Sequence, residues 1–347
     1  MGITSRQYQI LISLAAGGRS LSDLLALPAF AGMARRTLQR DLGALVDADR
    51  LERHGEARSV TYSLIPSAAS DLVVPPRILD AHLSSENRSA IRYDFDRLER
   101  LASVELFSPS EQMELRRIDR ALAEKLAGAP EGLVRRERER ITIELSWKSS
   151  QFEGNTYTLL ETETLLKDGI PARGKSQEET RMVLNHKRAL DFADEHPSLF
   201  AGRLEPQTII ELHRHLADGL FDTGLREYDV GITGSVYQPL DNRFPLGEEL
   251  ERLCDVINRK TSVYDKALLA FTYLCYLQAF NDGNKRTGRI LADAILHAHG
   301  SFPLSLRAVD VETYKLAVLA FYELGTLDNA KEVFLAQARF VAARYLG

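Results

Sequence analysis

The sequence predicts a mainly α-helical protein with two or more domains, the first of which contains three helices and a β-hairpin. Two observations support this prediction. From residue 88 to the C-terminus, apolar residues recur at helical spacing in one segment after another. Near the N-terminus, Leu51–Arg53 and Val60–Leu64 alternate as short strands around a polar turn. A chain of 347 residues with 44% hydrophobic residues can bury more than one core.

The first domain is predicted from the order of its elements. The first helix ends before Gly17-Gly18, and Ser20 begins a short second helix. The third helix, Ala34–Val46, has an apolar stripe on one side and long polar side chains on the other. These polar side chains are the candidate DNA contacts of the helix: Arg35, Arg36, Thr37, Gln39 and Arg40.

Three helices followed by a hairpin resemble a winged helix-turn-helix domain over residues 1–66. The resemblance implies that the third helix enters the major groove of DNA, where Arg reads guanine and Gln reads adenine. Arg53 and Arg58 on the hairpin would then reach backbone phosphates. Because one such module binds DNA weakly, the hypothesis includes a homodimer. The alternative is a small helical domain whose arginines are only solvated.

Beyond this domain the composition changes. Residues 67–78 are small and contain Pro75 and Pro76, which predicts a linker. A helical region is predicted at residues 79–200 and a second core at residues 201–347. The predicted helices are 88–103, 109–127, 134–150, 158–167, 176–194, 207–219, 247–258, 264–278, 285–299, 310–323 and 328–345.

Composition excludes several classes of protein. No segment approaches the roughly 18 consecutive apolar residues of a membrane span, so no membrane partner is expected. The N-terminus lacks the pattern of a secretory signal, and the expected location is cytoplasmic. Cys254 and Cys275 lack the spacing of a zinc site or a disulfide framework. The sequence therefore predicts neither zinc nor haem.

The segment from Gln278 to Arg289 is the clearest candidate for a binding site. It lies between two apolar helical segments and predicts a loop that opens a helix. Backbone N–H groups from Gly283 to Lys285 at a helix N-terminus form a site for anions. A carboxylate at Asp282 fits this site if Mg²⁺ bridges it to phosphate. These features predict a nucleotide, ATP with Mg²⁺.

The same segment resembles the signature loop of Fic-domain proteins, His-x-Phe-x-Asp/Glu-Gly-Asn-Gly/Lys-Arg-x-x-Arg. Every position matches except the first, where Gln278 replaces the catalytic His. The resemblance implies a role for each remaining position. Phe280 is a core anchor, Asp282 is the Mg²⁺ ligand, and the phosphates are bound by Gly283, Asn284, Lys285, Arg286 and Arg289.

Two further segments resemble Fic proteins. Residues 149–155 are similar to the inhibitory motif Ser/Thr-x-x-x-Glu-Gly/Asn, which implies inhibitory roles for Ser149, Glu153 and Gly154 and a pair between Glu153 and Arg289. The alternative makes Glu153 an N-cap before a helix at Thr158. Residues 229–238 resemble the flap hairpin that holds a target peptide. Its candidate residues are Thr233, Gly234, Ser235, Val236 and Tyr237.

Together the resemblances imply a mainly α fold, with a Fic-type helical core, a β-hairpin flap and an N-terminal winged helix-turn-helix domain. Gln278 cannot act as a base near neutral pH, and loss of a general base typically costs about 10²- to 10⁴-fold in rate. The main hypothesis is therefore a DNA-binding transcription regulator with an ATP-binding, autoinhibited Fic domain. The alternative is a protein adenylyltransferase that performs AMPylation of Ser, Thr or Tyr with weak or non-standard base chemistry. Phosphotransfer, suggested by Lys285, ranks below both.

Overall fold

The computed structural model describes residues 3–15, 17–56, 59–65, 73–84, 88, 90–241 and 246–345. The chain divides into two compact units. The first comprises residues 1–92, 232–238 and 316–329, and the second comprises residues 93–231, 239–315 and 330–347. Both consist mostly of helices, as the sequence predicts. In the described part of the chain, no helix is long and apolar enough to cross a membrane.

The first unit begins with three helices and three short strands. Its elements are α1 Ser5–Ala15, β1 Arg19–Ser20, α2 Leu21–Leu25, α3 Arg35–Asp47, β2 Leu51–His54, β3 Thr61–Leu64, α4 Pro76–Leu83, β4 Ile91–Arg92 and β5 Tyr237–Gln238. Strand β3 lies between β1 and β2 in an antiparallel sheet. Ser20 and Asp23 form a capping box that starts α2, as expected from Ser20. On α3, Leu38, Leu42 and Leu45 are buried in the core of this unit.

The second unit is built almost entirely of helices. They are α5 Arg97–Ala102, α6 Pro109–Ala127, α7 Glu131–Phe152, α8 Leu159–Asp168, α9 Gln177–Glu195, α10 Ser198–Ala201, α11 Pro206–Ala217, α12 Leu246–Arg259, α13 Val263–Leu277 and α14 Asn284–Ala298. The capping box of Ser176 and Glu179 starts α9 as predicted. Two C-terminal helices, α15 Val311–Leu324 and α16 Asp328–Tyr345, contain residues of both units.

Helices α13 and α14 pack closely because Gly288 leaves room between them. A Cβ atom at Gly288 would lie 3.0 Å from the carbonyl oxygen of Ala270 and 3.2 Å from that of Phe271. Almost every residue of both helices is buried. This pair therefore forms a rigid support for the segment that joins them, which is the candidate loop.

Three predictions about elements are wrong. The predicted helix 88–103 contains strand β4 and a helix only at Arg97–Ala102, because the Asp94 carboxylate accepts a hydrogen bond from the Asp96 amide in place of a helical bond. Helix α4 begins at Pro76, inside the predicted linker, whose residues 67–72 lie outside the described part of the chain.

The third error concerns the flap. Its turn at Thr233-Gly234 is present, and the Ser235 amide donates to the Ile232 carbonyl at 3.1 Å. However, Tyr237–Gln238 does not pair with the preceding arm to form a hairpin. It pairs in parallel with Ile91–Arg92, because the Ile91 amide donates to the Val236 carbonyl at 3.1 Å. A backbone segment distant in sequence thus replaces the expected arm.

Candidate functional site

The candidate loop starts where Gln278 ends helix α13. Gln278 has a left-handed backbone conformation, with φ of 52° and ψ of 53°. Its side-chain Nε2 donates to the Cys275 carbonyl at 2.6 Å, and its Oε1 accepts from Asn284 Nδ2 at 3.1 Å. The Gln278 carbonyl accepts from Arg226 Nε at 2.6 Å. Gln278 is therefore a structural cap that joins the two ends of the loop.

The second half of the loop is closed by Asn284, the first residue of α14. Its side chain accepts from the Phe280 amide at 2.9 Å and donates to the Phe280 carbonyl at 2.7 Å. Gly283 has φ of +79°, and a Cβ atom there would lie 2.9 Å from the ring of Phe221. His213 stacks on Phe280 at 3.7 Å between ring centroids and contacts the Asp282 carbonyl at 3.0 Å. The loop is thus fixed before any ligand binds.

Arg286 and Asp282 form an ion pair at the start of α14. Arg286 is buried, pairs with the exposed Asp282 carboxylate at 2.9 Å, and lies over the ring of Phe221 at 4.6 Å. Its Nε is buried and has no hydrogen-bond partner among the described residues. The first amides of a helix also lack intrahelical acceptors. Unused donors and a positive helix end therefore lie together, which suits an anionic ligand.

Glu153 lies against this helix start from α7. It is the C-cap of α7, and Gly154 follows with φ of +91°, a conformation that favours glycine. Glu153 Oε1 contacts Arg289 Nη2 at 2.7 Å, the pair that the motif predicts. The alternative prediction, an N-cap before Thr158, is wrong, because Thr158 itself caps α8 through Glu161.

Arg289 is fully buried, and all three nitrogens of its guanidinium donate hydrogen bonds. Its Nε donates to Ser149 Oγ at 2.8 Å and its Nη2 to the Ser149 carbonyl at 3.0 Å. Its Nη1 donates to the hydroxyl of Tyr314 at 2.7 Å. The guanidinium also lies over the rings of Tyr314 and Phe152, at 5.0 and 5.4 Å from their centroids. Helix α7 thus covers the arginine on which the signature depends.

His186 fixes the hydroxyl that supports Arg289. Its Nε2 lies 2.8 Å from Ser149 Oγ and its Nδ1 lies 2.8 Å from the Met182 carbonyl. Since the carbonyl only accepts, Nδ1 carries the proton, and Ser149 donates to Nε2 while accepting from Arg289. Burial lowers the pKa of His186 to about 3, so that the ring stays neutral.

The charges of the site act mainly on Glu153. Burial alone would raise its pKa, but the positive charges of Arg289 and Lys285 outweigh burial and lower the pKa to about 2. Lys285 contributes a second pair, with 2.8 Å between its Nζ and Glu153 Oε2. For Arg289, burial lowers the pKa, and the nearby Tyr314 and Glu153 raise it further than burial lowers it. The Glu153 carboxylate is therefore ionised in the folded protein.

Four residues of the site were not predicted in these roles. Lys285 was expected to bind nucleotide, and its contact with Glu153 was not foreseen. His186 and His213 carry no motif, and the sequence does not predict that they are buried or which groups they contact. Tyr314 carries no motif, and only its position after the signature helix could have suggested it.

The flap residues are described within the first unit. Glu323 of α15 accepts from Ser235 Oγ at 2.7 Å and from the Val236 amide at 3.1 Å. The same carboxylate accepts from Arg88 Nη1 at 2.6 Å and lies 2.9 Å from His82 Nε2. Burial would raise its pKa, and these hydrogen bonds lower it to about 2. Tyr237 is buried, whereas Thr233 and Gly234 are exposed at the turn.

Most of the candidate DNA contacts lie on α3. Four candidate residues on α3 are exposed: Arg35, Arg36, Gln39 and Arg40. Thr37, on the same helix, is half-buried. Arg53 is exposed on β2, and Arg58 lies outside the described residues. Arg36 and Arg40 have no ion pair within the described chain, so their charges are available to a ligand.

The residues at Asp282 fit a magnesium ion only together with a nucleotide. No cluster of three His, Cys, Asp or Glu side chains that could hold a metal occurs in the described residues. Asp282 supplies one exposed carboxylate beside the unused donors of α14. Mg²⁺ commonly binds through one or two carboxylates, with phosphate oxygens and water completing its shell. The arrangement fits such an ion.

Comparisons with known proteins point to one family. The Fic/DOC family model matches residues 203–296. Protein adenylyltransferase fic-1 of Caenorhabditis elegans is 27% identical over 205 residues, and Protein adenylyltransferase Fic of Nematostella vectensis is 29% identical over 179 residues. The matches cover 56% and 48% of this chain but only 39% and 40% of those relatives.

A solved structure of Fic-1 from Caenorhabditis elegans has the same fold. It aligns with a TM-score of 0.55 and 19% identity, and the alignment covers 100% of this chain and 99% of that chain. At this identity the likeness extends to the fold and not to the chemistry.

Proposed function

We propose that this chain, whose residues 203–296 belong to the Fic/DOC family, is a protein adenylyltransferase held in an inhibited state by Glu153. The observation that carries the proposal is the buried guanidinium of Arg289. It lies beside a helix start with unused donors, and the Glu153 carboxylate occupies it. The matched relatives are named protein adenylyltransferases, which favours transfer of AMP over other nucleotide chemistry.

In the proposed reaction a hydroxyl of a target protein attacks the α-phosphorus of ATP. A new O–P bond forms, the bond to the bridging oxygen breaks, and pyrophosphate leaves. The amides at the start of α14 and the Nε of Arg286 bind the phosphates, and Arg289 binds the terminal phosphate once Glu153 has moved. Asp282 would hold Mg²⁺, which neutralises phosphate charge when bound.

Gln278 sets the rate of this reaction. It has no titratable nitrogen, and both ends of its side-chain amide are bound within the loop. The hydroxyl proton must therefore pass to solvent or to a phosphate oxygen. Positioning and electrostatic stabilisation remain, so we expect slow transfer and not complete loss.

The direct test is incubation with Mg²⁺ and ATP labelled at the α-phosphate. We compare wild type, Glu153→Gly, Gln278→His and the double variant. We expect the weakest protein labelling in wild type and the strongest in the double variant, with Gln278→His adding about 10²- to 10⁴-fold. Arg286→Ala in the double variant is the control that should abolish labelling. An unlabelled double variant would exclude adenylyl transfer, and label from γ-labelled ATP would indicate phosphotransfer.

We propose DNA binding by the first unit as a second function. The supporting observations are the helix and strand order, with β3 between β1 and β2, and the exposed, unpaired Arg36 and Arg40 on α3. A helix with such donors at its leading end suits a major groove.

Binding of a promoter-sized duplex tests the second function. We expect a shift at low salt that is lost in Arg36→Ala/Arg40→Ala, with a salt slope flatter by about 2. Arg203→Ala in the second unit, also an exposed arginine, is the matched control. The absence of any shift with wild type at low salt would refute DNA binding, whatever the result for AMP transfer.

A further inference from the structure

The inhibitory carboxylate is held by two cations and not by one. Glu153 Oε1 contacts Arg289 at 2.7 Å, and Oε2 contacts Lys285 at 2.8 Å. Each oxygen therefore has its own positive partner. Arg289 is fully buried, whereas the Lys285 side chain is 41% exposed and lies where a ligand can reach it from solvent.

The position of Lys285 makes its positive charge unfavourable unless an anion lies nearby. It is in the first turn of α14, at the positive end of the helix dipole, where a positive side chain is unfavourable. The neighbouring Arg286 already has Asp282 at 2.9 Å. Without Glu153, Lys285 and Arg289 would both lose their anion. A ligand that displaces Glu153 must therefore supply negative charge to two separate groups.

From this geometry we infer that Lys285 is a specificity-determining residue, which makes release of Glu153 depend on the terminal phosphate of a nucleoside triphosphate. The terminal phosphate carries enough charge and enough oxygens to replace the carboxylate at both Lys285 and Arg289. A diphosphate placed on the same loop amides lacks the group that reaches the two cations. This inference rests on the proposed nucleotide site but not on transfer of AMP.

A double-mutant cycle tests the inference by calorimetric titration of ATP·Mg²⁺ and ADP·Mg²⁺. The four proteins are wild type, Lys285→Ala, Glu153→Gly and the double variant. In the Glu153→Gly background, we expect Lys285→Ala to weaken the binding of ATP about tenfold and the binding of ADP less than twofold. In the wild-type background, Lys285→Ala should weaken the binding of ATP by a factor at least fivefold smaller, or should tighten it. The reason is that loss of a phosphate ligand is offset by release of Glu153.

Two controls keep the result interpretable. Lys167→Ala removes a lysine of similar exposure that pairs with Glu163 at 2.7 Å, and it should leave both affinities unchanged. Lys285→Arg keeps the charge and should retain the preference for ATP. Equal factors for Lys285→Ala in both backgrounds, or no ATP binding by Glu153→Gly, would overturn the inference. Intact coupling without AMP transfer would instead refute only the proposed function.

Discussion

Gln278 shows how a single residue can keep a loop and change its chemistry. Its side chain bonds to the end of α13 and to Asn284, so the loop closes without the histidine of the signature. Asp282, Arg286 and Arg289, the charged residues of the signature, form ion pairs beside this loop. Under the proposed function, the loss of the histidine impairs proton transfer and leaves the phosphate-binding groups unchanged.

The Glu153–Arg289 contact was predicted from spacing, whereas its surroundings were not. Two motifs in the expected order place the carboxylate and the guanidinium together, because each motif carries a known geometry. The guanidinium of Arg289 also bonds to the Ser149 carbonyl and to Tyr314, and His186 bonds to the Ser149 hydroxyl. These contacts depend on how three helices pack, which no local pattern of residues encodes. The signature predicts a phosphate ligand at Lys285, and nothing in the sequence predicts its ion pair with Glu153.

The lowered pKa of Glu153 makes stability depend on pH. Its pKa is about 2 in the folded chain against an ordinary value of 4.5. The unfolded chain therefore binds more protons between these values, and the stabilisation is complete above about pH 5 and lost as pH falls towards 2. We expect Glu153→Gln to lower the free energy of unfolding by about 3 kcal/mol at pH 7.

Urea unfolding of wild type and Glu153→Gln at a series of pH values checks this expectation. The difference between the two proteins should shrink steadily below pH 5, since other carboxylates titrate equally in both. A difference that stays constant down to pH 3 would show that Glu153 is not held as an ion by Lys285 and Arg289.

Among the elements, the long helices and strands β2 and β3 were predicted to within a few residues, and the two-residue strands were not. Capping boxes and apolar stripes mark helices such as α6 and α9 locally. Strands β1, β4 and β5 have two residues each, and their partners are distant in sequence. No periodicity can be read from two residues, so the pairing of the flap with β4 could not be predicted.

Replacing two helix glycines by alanine should change the free energy of unfolding in opposite directions. Gly288→Ala should lower the free energy of unfolding by about 1 to 3 kcal/mol, because the new methyl group meets the Ala270 and Phe271 carbonyls. Gly43→Ala on the exposed side of α3 meets nothing within 4 Å and should raise stability by up to about 1 kcal/mol. Urea unfolding measures both, and equal effects would contradict the close approach of the helices.

The Glu323 carboxylate anchors the flap segment within the first unit. Its removal in Glu323→Ala deletes the acceptors of the Ser235 hydroxyl and the Val236 amide. We expect hydrogen exchange at Val236 and at Ile91, whose amide donates to Val236, to accelerate at least tenfold. Glu312→Ala, an exposed glutamate of the same helix, is the control. Unchanged exchange in Glu323→Ala would show that strand pairing alone holds the flap.

At the level of the whole chain, the motifs predict a family resemblance, whereas they do not predict which segments form each unit. The resemblance to Fic proteins follows from three motifs in the expected order, and the Fic/DOC family model matches residues 203–296. The sequence does not predict which segments belong to each unit, because residues 232–238 and 316–329 join the N-terminal residues from far along the chain. Such assembly is decided by non-local packing, and the predicted domain limits remain a prediction.

The central claim is that Glu153 withholds Arg289 from nucleotide, and titration calorimetry of ATP·Mg²⁺ into wild type and Glu153→Gly tests it most directly. Because Glu153→Gly removes a charge-assisted pair that competes with the ligand, it should tighten the binding of ATP by about 5- to 150-fold. Glu163→Gly, which removes an exposed glutamate paired with Lys167, should leave the affinity unchanged. Equal dissociation constants for wild type and Glu153→Gly would contradict the claim and make Glu153 a structural cap of α7.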